Sequence, residues 1–206
     1  MRVTAETQAA TRERILAASR RLLASSDFES VTTRDIARAA DIAVGTFFNY
    51  FATKEAIVVT LAAKAAAEAH AEFDRHCSGL ESLEEALFAF VAGELRQLRP
   101  LRKHLPVVLE TLLSPLAAGR EHDGQALRIS HLERVVLLAQ KHRGRQISPV
   151  GLNLYWSLYT GLLQFWSGDK SPRQEDTLAL LDHSLEMFVG WLESQAEKSS
   201  VKPHPR

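Results

Sequence analysis

The sequence predicts an all-α chain of about nine helices: an N-terminal three-helix head over residues 1–55 and a C-terminal helical bundle over residues 56–206. Three observations carry this. Apolar residues recur at helical spacing along most of the chain, and no stretch alternates long enough to make a strand. The 10 Gly and 7 Pro are sparse and cluster where helix ends are expected. Residues 32–54, TTRDIARAADIAVGTFFNYFATK, read as two short helices joined by a tight turn.

The elements follow in order. In the first helix Ile15, Leu16, Ser19, Leu22 and Leu23 share one face, which Phe28 and Val31 extend into the next loop. Thr32 caps the second helix, with Asp35 at the capping-box position; Ile36, Ala37 and Ala40 face inward, and Arg34 and Arg38 face away. Small residues at Ala39, Ala40 and Ala43 let the next helix cross closely. That third helix turns Ile42, Val44, Phe47 and Phe51 inward and Gly45, Thr46, Asn49 and Tyr50 outward. The fourth, about Thr53 to Cys77, is capped by Thr53, is rich in alanine, and at ~1.5 Å per residue spans about 35 Å; a ligand-driven tilt of it would move the third helix. Ser82 and Glu85 form a capping box for the fifth, which runs to about Leu98. Residues 101–117 give a shorter segment broken by proline, and 119–125 (GREHDGQ) a turn. The seventh buries Leu127, Leu132, Val135, Val136 and Ala139 and stops at Gly144. Ser148-Pro149 opens the eighth and Ser171-Pro172 the ninth, with Gln174 at the capping-box position. Residues 1–9 and 195–206 are expected to fray.

The outward side of the third helix carries the chemistry. A buried stripe accounts for Phe47 and Phe51 but leaves Asn49 and Tyr50 as exposed polar groups on a short helix. Asn suits bidentate bonding to adenine, and Thr46 offers a methyl for thymine plus a hydroxyl. Gly45 lowers helix propensity, so it serves either the turn or a close approach of the backbone to a phosphate or base edge. Lys54, in the first turn of the fourth helix, is either a phosphate clamp or a solvated surface lysine; the reader helix three residues upstream favours the clamp.

The segment VTTRDIARAADIAVGTFFNYFATKEAI at 31–57, preceded by the amphipathic TRERILAASRRLLASS at 11–26, resembles the TetR-type (tetracycline-repressor-like) regulators. The resemblance covers roughly the first 60 residues; beyond them it is one of architecture only. It implies that Arg34, Val44, Gly45 and Thr46 face bases or sugar edges, that Asn49 and Tyr50 contact bases or phosphates, and that Thr33 and Lys54 contact phosphates. Where the family usually carries Tyr, this chain has Phe48, so a hydroxyl–phosphate contact is lost or replaced by apolar contact. The partners implied are a double-stranded palindromic operator, a small organic effector and a second copy of the chain. Repression relieved by the effector is the family's common mode.

Helices eight and nine are apolar on more than one side, which points to burial against the chain's own body and against a second copy. Leu162, Leu163, Trp166, Leu181, Leu185 and Phe188 are the expected dimer-interface residues. Phe88, His104, His131, Trp156 and Tyr159 are candidates to line an effector pocket. No HxxxH, HExxH or CxxC spacing occurs, so no metal site and no cofactor are expected. Nor is there a GxSxG, P-loop or dinucleotide fingerprint; an enzyme or ligand carrier without DNA binding remains the alternative, and it leaves the outward side of the third helix without a purpose.

Composition limits the partners. The formal net charge is +0, and residues 1–55 carry eight Lys/Arg against seven Asp/Glu, which argues against diffuse coating of nucleic acid. Binding must come from a few aimed contacts, doubled by a dimer. The single cysteine, Cys77, excludes an intrachain disulfide and fits a reducing compartment; with no signal-peptide core and no apolar run of ~20 residues, a soluble cytoplasmic protein is expected.

Overall fold

The computed structural model describes residues 5–77, 79–113, 122–144 and 146–200. Among these the chain forms nine α-helices and no strand: α1 (Ala5–Ser25), α2 (Thr33–Ala39), α3 (Val44–Phe48), α4 (Lys54–His76), α5 (Leu83–Leu98), α6 (Leu105–Leu113), α7 (His122–Arg143), α8 (Pro149–Gly168) and α9 (Glu175–Ser200). The all-α class and the N-terminal helix-turn-helix are as the sequence predicts. The chain divides into two compact units, one of residues Met1–Ala66 with Leu98–Leu127 and one of Ala67–Gln97 with Arg128–Arg206. The sequence-based division at 55/56 falls in the first turn of α4, inside the first unit.

In the first unit α1 packs on α2 and α2 on α3. Ile15 and Leu23 of α1, Ile36 of α2, Phe47 of α3 and Ile57 and Leu61 of α4 are all buried. Their spacing puts each on one helical stripe, so burying that stripe leaves the charged positions in water. The capping box at Thr32 is complete: Asp35 N donates to Thr32 Oγ1 at 3.2 Å and Thr32 N to Asp35 Oδ2 at 3.1 Å. The turn between α2 and α3 is made by Asp41 in the left-handed region (φ 54°), with Ile42 N donating to Ala37 O at 3.0 Å. This satisfies carbonyls at the end of α2, and Asp is among the residues that tolerate this conformation. A 3₁₀ turn at Arg99–His104 is anchored to the C-terminal end of α1, where His104 Nε2 donates to Leu23 O at 3.0 Å and Lys103 Nζ to Ser26 O at 2.9 Å.

In the second unit α8 and α9 pair along their lengths. Gly151 permits this near the start of α8: a Cβ there would lie 2.7 Å from Ile147 Cγ2 and 3.0 Å from the Trp191 ring. Caps foreseen from sequence form at α5, where Glu85 N donates to Ser82 Oγ at 3.0 Å, and at α8, where Gly151 N donates to Ser148 Oγ at 3.1 Å. Gly144 ends α7 with φ 60°.

The start of α9 departs from expectation. Arg173 and Gln174 are left-handed, so Gln174 cannot complete a capping box; its Oε1 instead accepts from Trp166 Nε1 at 2.8 Å. Asp169 organises the turn, with Oδ1 accepting from Ser171 N at 2.7 Å and Oδ2 from Thr177 N at 3.1 Å. Three other expectations shift. Residues 122–125 belong to α7 rather than to a turn, α1 already begins at Ala5, and α9 runs through to Ser200. Residues 1–4, 114–121 and 201–206, which hold the rest of the expected frayed ends and turn, lie outside the described residues.

Candidate nucleic-acid interface

α3 is only five residues long, so its orientation depends on what it buries. Phe47 is fully buried and Phe51 nearly so, their ring centroids 6.2 Å apart, and the Arg12 guanidinium lies 5.1 Å over the Phe51 ring. With that side fixed, the opposite side is presented outward. Val44, Gly45, Phe48 and Asn49 are exposed, as is Arg34 on α2; Thr33, Thr46 and Tyr50 are half-buried. Arg34 and Val44 flank one crease between α2 and α3, together with Arg38, Ile42 and Ala43.

Gly45 resolves one of the alternatives read from sequence. Its φ is not left-handed, and a Cβ built on it meets nothing within 4 Å. Neither the turn, whose left-handed residue is Asp41, nor packing among the described residues requires glycine there. Phe48 is 52% exposed, an apolar side chain in water with its ring edge-on to Phe47 at 5.2 Å. Lys54 is turned inward. Its ammonium donates to Phe28 O at 2.7 Å and sits 3.9 Å over the Phe28 ring, tying the start of α4 to the loop before α2. In this arrangement one of its donors serves the fold, a role not foreseen from sequence.

The expected effector-pocket residues divide between the two units. His104 belongs to the first unit, where burial, ahead of the other influences, holds its pKa below the ordinary imidazole value. Phe88 is half-buried on α5. His131, Trp156 and Tyr159 do meet in the second unit, but as packed rings: His131 lies 4.0 Å from Tyr159 and 6.0 Å from Trp156, centroid to centroid. The void beside Tyr155 and Tyr159 amounts to about 10 Å³, room for one water at most. A larger groove, about 1060 Å³, opens elsewhere on this unit, between an apolar wall of Ile147, Trp191 and Leu192 and a polar rim of His142, Arg143 and Glu193. None of these was singled out from sequence, because none breaks helical patterning.

The expected dimer residues are likewise reassigned. Leu162, Leu163, Trp166, Leu181, Leu185 and Phe188 are each no more than 4% exposed within the single chain, so they form its own α8–α9 core. Other apolar residues, not among those expected, remain exposed: Val150 and Phe165 on α8 and Leu180 and Met187 on α9.

One constellation in the second unit was not legible in the sequence. Glu94 of α5, fully buried, lies between His70 of α4 and His131 of α7. Oε1 is 2.7 Å from His70 Nε2 and 3.0 Å from His131 Nδ1; the other nitrogen of His131 is 3.1 Å from the Tyr155 hydroxyl. Burial acts to raise the Glu94 pKa, but the charge and hydrogen bond of His131, joined by those of His70, outweigh it and hold it at about 2. Burial, with the Glu94 charge second, pushes the Tyr155 and Tyr159 phenols well above their ordinary value. The three residues span 62 positions of sequence, so no local spacing announces them.

Residues 15–61 match the family model of bacterial regulatory proteins, tetR family. Solved structures share the fold across most of the chain. A TetR transcriptional regulator from Rhodococcus sp. RHA1 is similar with TM-score 0.69 at 17% identity, over 88% of this chain and 96% of that one. FadR from Thermus thermophilus, a TetR-family repressor solved with lauroyl-CoA, matches with TM-score 0.69 at 22% identity, over 86% and 93%. RolR, solved with resorcinol, matches with TM-score 0.60 at 20% identity, over 98% and 99%. At these identities the likeness is one of fold. No curated protein matches the chain in sequence.

Proposed function

We propose that this chain, whose residues 15–61 match the family model of bacterial regulatory proteins, tetR family, is a ligand-responsive transcription regulator of that family that binds a palindromic operator as a homodimer. The observation that carries the reading is the outward side of α3. Gly45 and Asn49 stand exposed over a buried Phe47–Phe51 base, and nothing among the described residues accounts for the glycine. A short helix so presented fits the major groove: Asn49 bonds adenine, Thr46 and Val44 contact thymine methyls, and Arg34, Thr33 and Tyr50 hold sugar edges or phosphates. Gly45 lets the backbone approach, and Phe48 supplies apolar contact where a hydroxyl would otherwise reach a phosphate. Residues 1–55 form the DNA-binding domain and residues 56–206 the ligand-binding and dimerisation domain.

Two copies join through the exposed stripe of Val150, Phe165, Leu180 and Met187, setting two α3 helices about one DNA turn apart. A small organic effector fits the groove walled by Ile147, Trp191 and Leu192 and relieves repression. Support for a ligand-responsive repressor comes from FadR and RolR, solved with lauroyl-CoA and resorcinol respectively. Among the described residues no helix is long and apolar enough to cross a membrane. A gel shift with the DNA flanking the chain's own gene tests the reading. A discrete complex that survives excess unrelated DNA is expected, and equal competition by unrelated DNA at every salt concentration would favour a helical ligand carrier or enzyme instead.

A further inference from the structure

We propose that His70, Glu94 and His131 form a site for one divalent first-row transition-metal ion, zinc by its donor set, inside the second unit. This goes beyond the organic effector proposed above and rests on neither DNA binding nor dimerisation. The three side chains come from three different helices, α4, α5 and α7, and each offers a donor atom, all lying within 4.8 Å of one another. Two imidazoles and one carboxylate are donors that suit zinc and its neighbours in the first transition row, in preference to magnesium or calcium. Ligands about 2.0–2.2 Å from zinc stand roughly 3.5 Å apart, so each hydrogen-bonded pair opens by under ~1 Å and the two imidazoles, no more than 4.8 Å apart, close by at most about 1.3 Å.

Three further observations fit a metal better than a closed hydrogen-bond network. The carboxylate is fully buried, and such a charge needs full pairing. Yet Glu94 Oε2, 2.9 Å from His131 Nδ1, takes no hydrogen bond from either imidazole, since both serve Oε1. A cation among the three donors would take up that oxygen. The far nitrogen of His131 is already held by the Tyr155 hydroxyl at 3.1 Å, the kind of outer bond that orients a metal-bound imidazole. Finally, His70 is the one member that reaches solvent, its side chain 12% exposed, which gives an ion a way in while Glu94 and His131 stay sealed. Three protein donors leave at least one coordination position for water or for a donor atom of another ligand, so the site is of the open, exchangeable kind.

The full-length chain, stripped with a chelator and kept free of DNA, is titrated with Zn²⁺ and Co²⁺. The expected result is one tightly held ion per chain after equilibrium dialysis, visible d–d absorption with Co²⁺, and a Tm that rises on adding Zn²⁺. His70→Ala and Glu94→Gln should each lose the retained ion and the Zn²⁺-dependent rise in Tm, whereas His183→Ala, at an exposed position on α9, should keep both. His70→Ala removes a partly exposed side chain and guards against simple unfolding of the Glu94 variant. Failure of the wild-type chain to retain an ion, or retention of the same ion by His70→Ala, would overturn the proposal; neither result bears on operator binding, which is measured separately.

Discussion

Glu94→Gln, measured in the presence of a chelator, tests the electrostatics of the second unit. In the folded chain the Glu94 carboxyl is held at about 2 against an ordinary 4.5, because the two imidazoles facing it favour the anion by more than burial disfavours it. The drop from 4.5 to about 2, at about 1.4 kcal/mol per unit, comes to about 3 kcal/mol of stability. Since the folded value is the lower one, that stability is fully present above the unfolded value and fades as pH falls from 4.5 toward 2. Glutamine keeps the shape and abolishes the charge, so the variant should be about 3 kcal/mol less stable at neutral pH, in line with removing one partner of a buried charge pair. Urea unfolding followed by far-ultraviolet circular dichroism, at one fixed chain concentration, reads the difference directly. The gap between the two proteins should hold steady from neutral pH to about 5 and begin to close below that. A gap under about 1 kcal/mol at neutral pH, or one that does not narrow in acid, would refute the claim that Glu94 is ionised and paired in the core.

Three further substitutions separate fold from function. Lys54→Met keeps the aliphatic stem but removes the bond to Phe28 O and the cation over its ring, so the chain should lose about 1–2 kcal/mol of stability; unchanged stability with a shallower salt dependence of DNA binding would return Lys54 to the role of phosphate clamp. Phe165→Arg should yield folded monomers by sedimentation equilibrium, whereas Leu162→Arg should unfold the chain by burying a charge; a dimer that survives Phe165→Arg would place the interface elsewhere. Gly45→Ala should leave the fold intact or stabilise it by up to about 1 kcal/mol while weakening operator binding in fluorescence anisotropy, and unaltered affinity would show that no partner approaches the backbone there.

Much of the fold was legible because its signals are local. Thr32 with Asp35, Ser82 with Glu85, and Ser148 with Pro149 each act through neighbouring backbone groups, and each helix begins where its cap stands. At α3 the four-residue spacing of Phe47 and Phe51 announced their burial, but Val44, expected on the same side, stands 37% exposed at the start of the helix. What depended on tertiary packing was not. Periodicity marked Leu162 and Phe188 as apolar positions of α8 and α9, but not that they are buried within the single chain while Phe165 and Met187 stay exposed. Gln174 met the capping pattern and failed it because Trp166 claims its side chain across the turn. The Phe28 carbonyl draws Lys54 inward from 26 positions away, and the Glu94 cluster gathers residues from three helices; neither pairing leaves a trace in spacing.

The central claim, that the outward side of α3 reads DNA twice over, is tested most directly by nuclease footprinting of the DNA flanking the gene with the wild-type chain and Asn49→Ala. The account predicts two protected half-sites about one helical turn apart, with Asn49→Ala needing roughly 5- to 150-fold more protein for the same protection, equivalent to about 1–3 kcal/mol. Protection that is absent at every concentration, or identical for the two proteins, would contradict it.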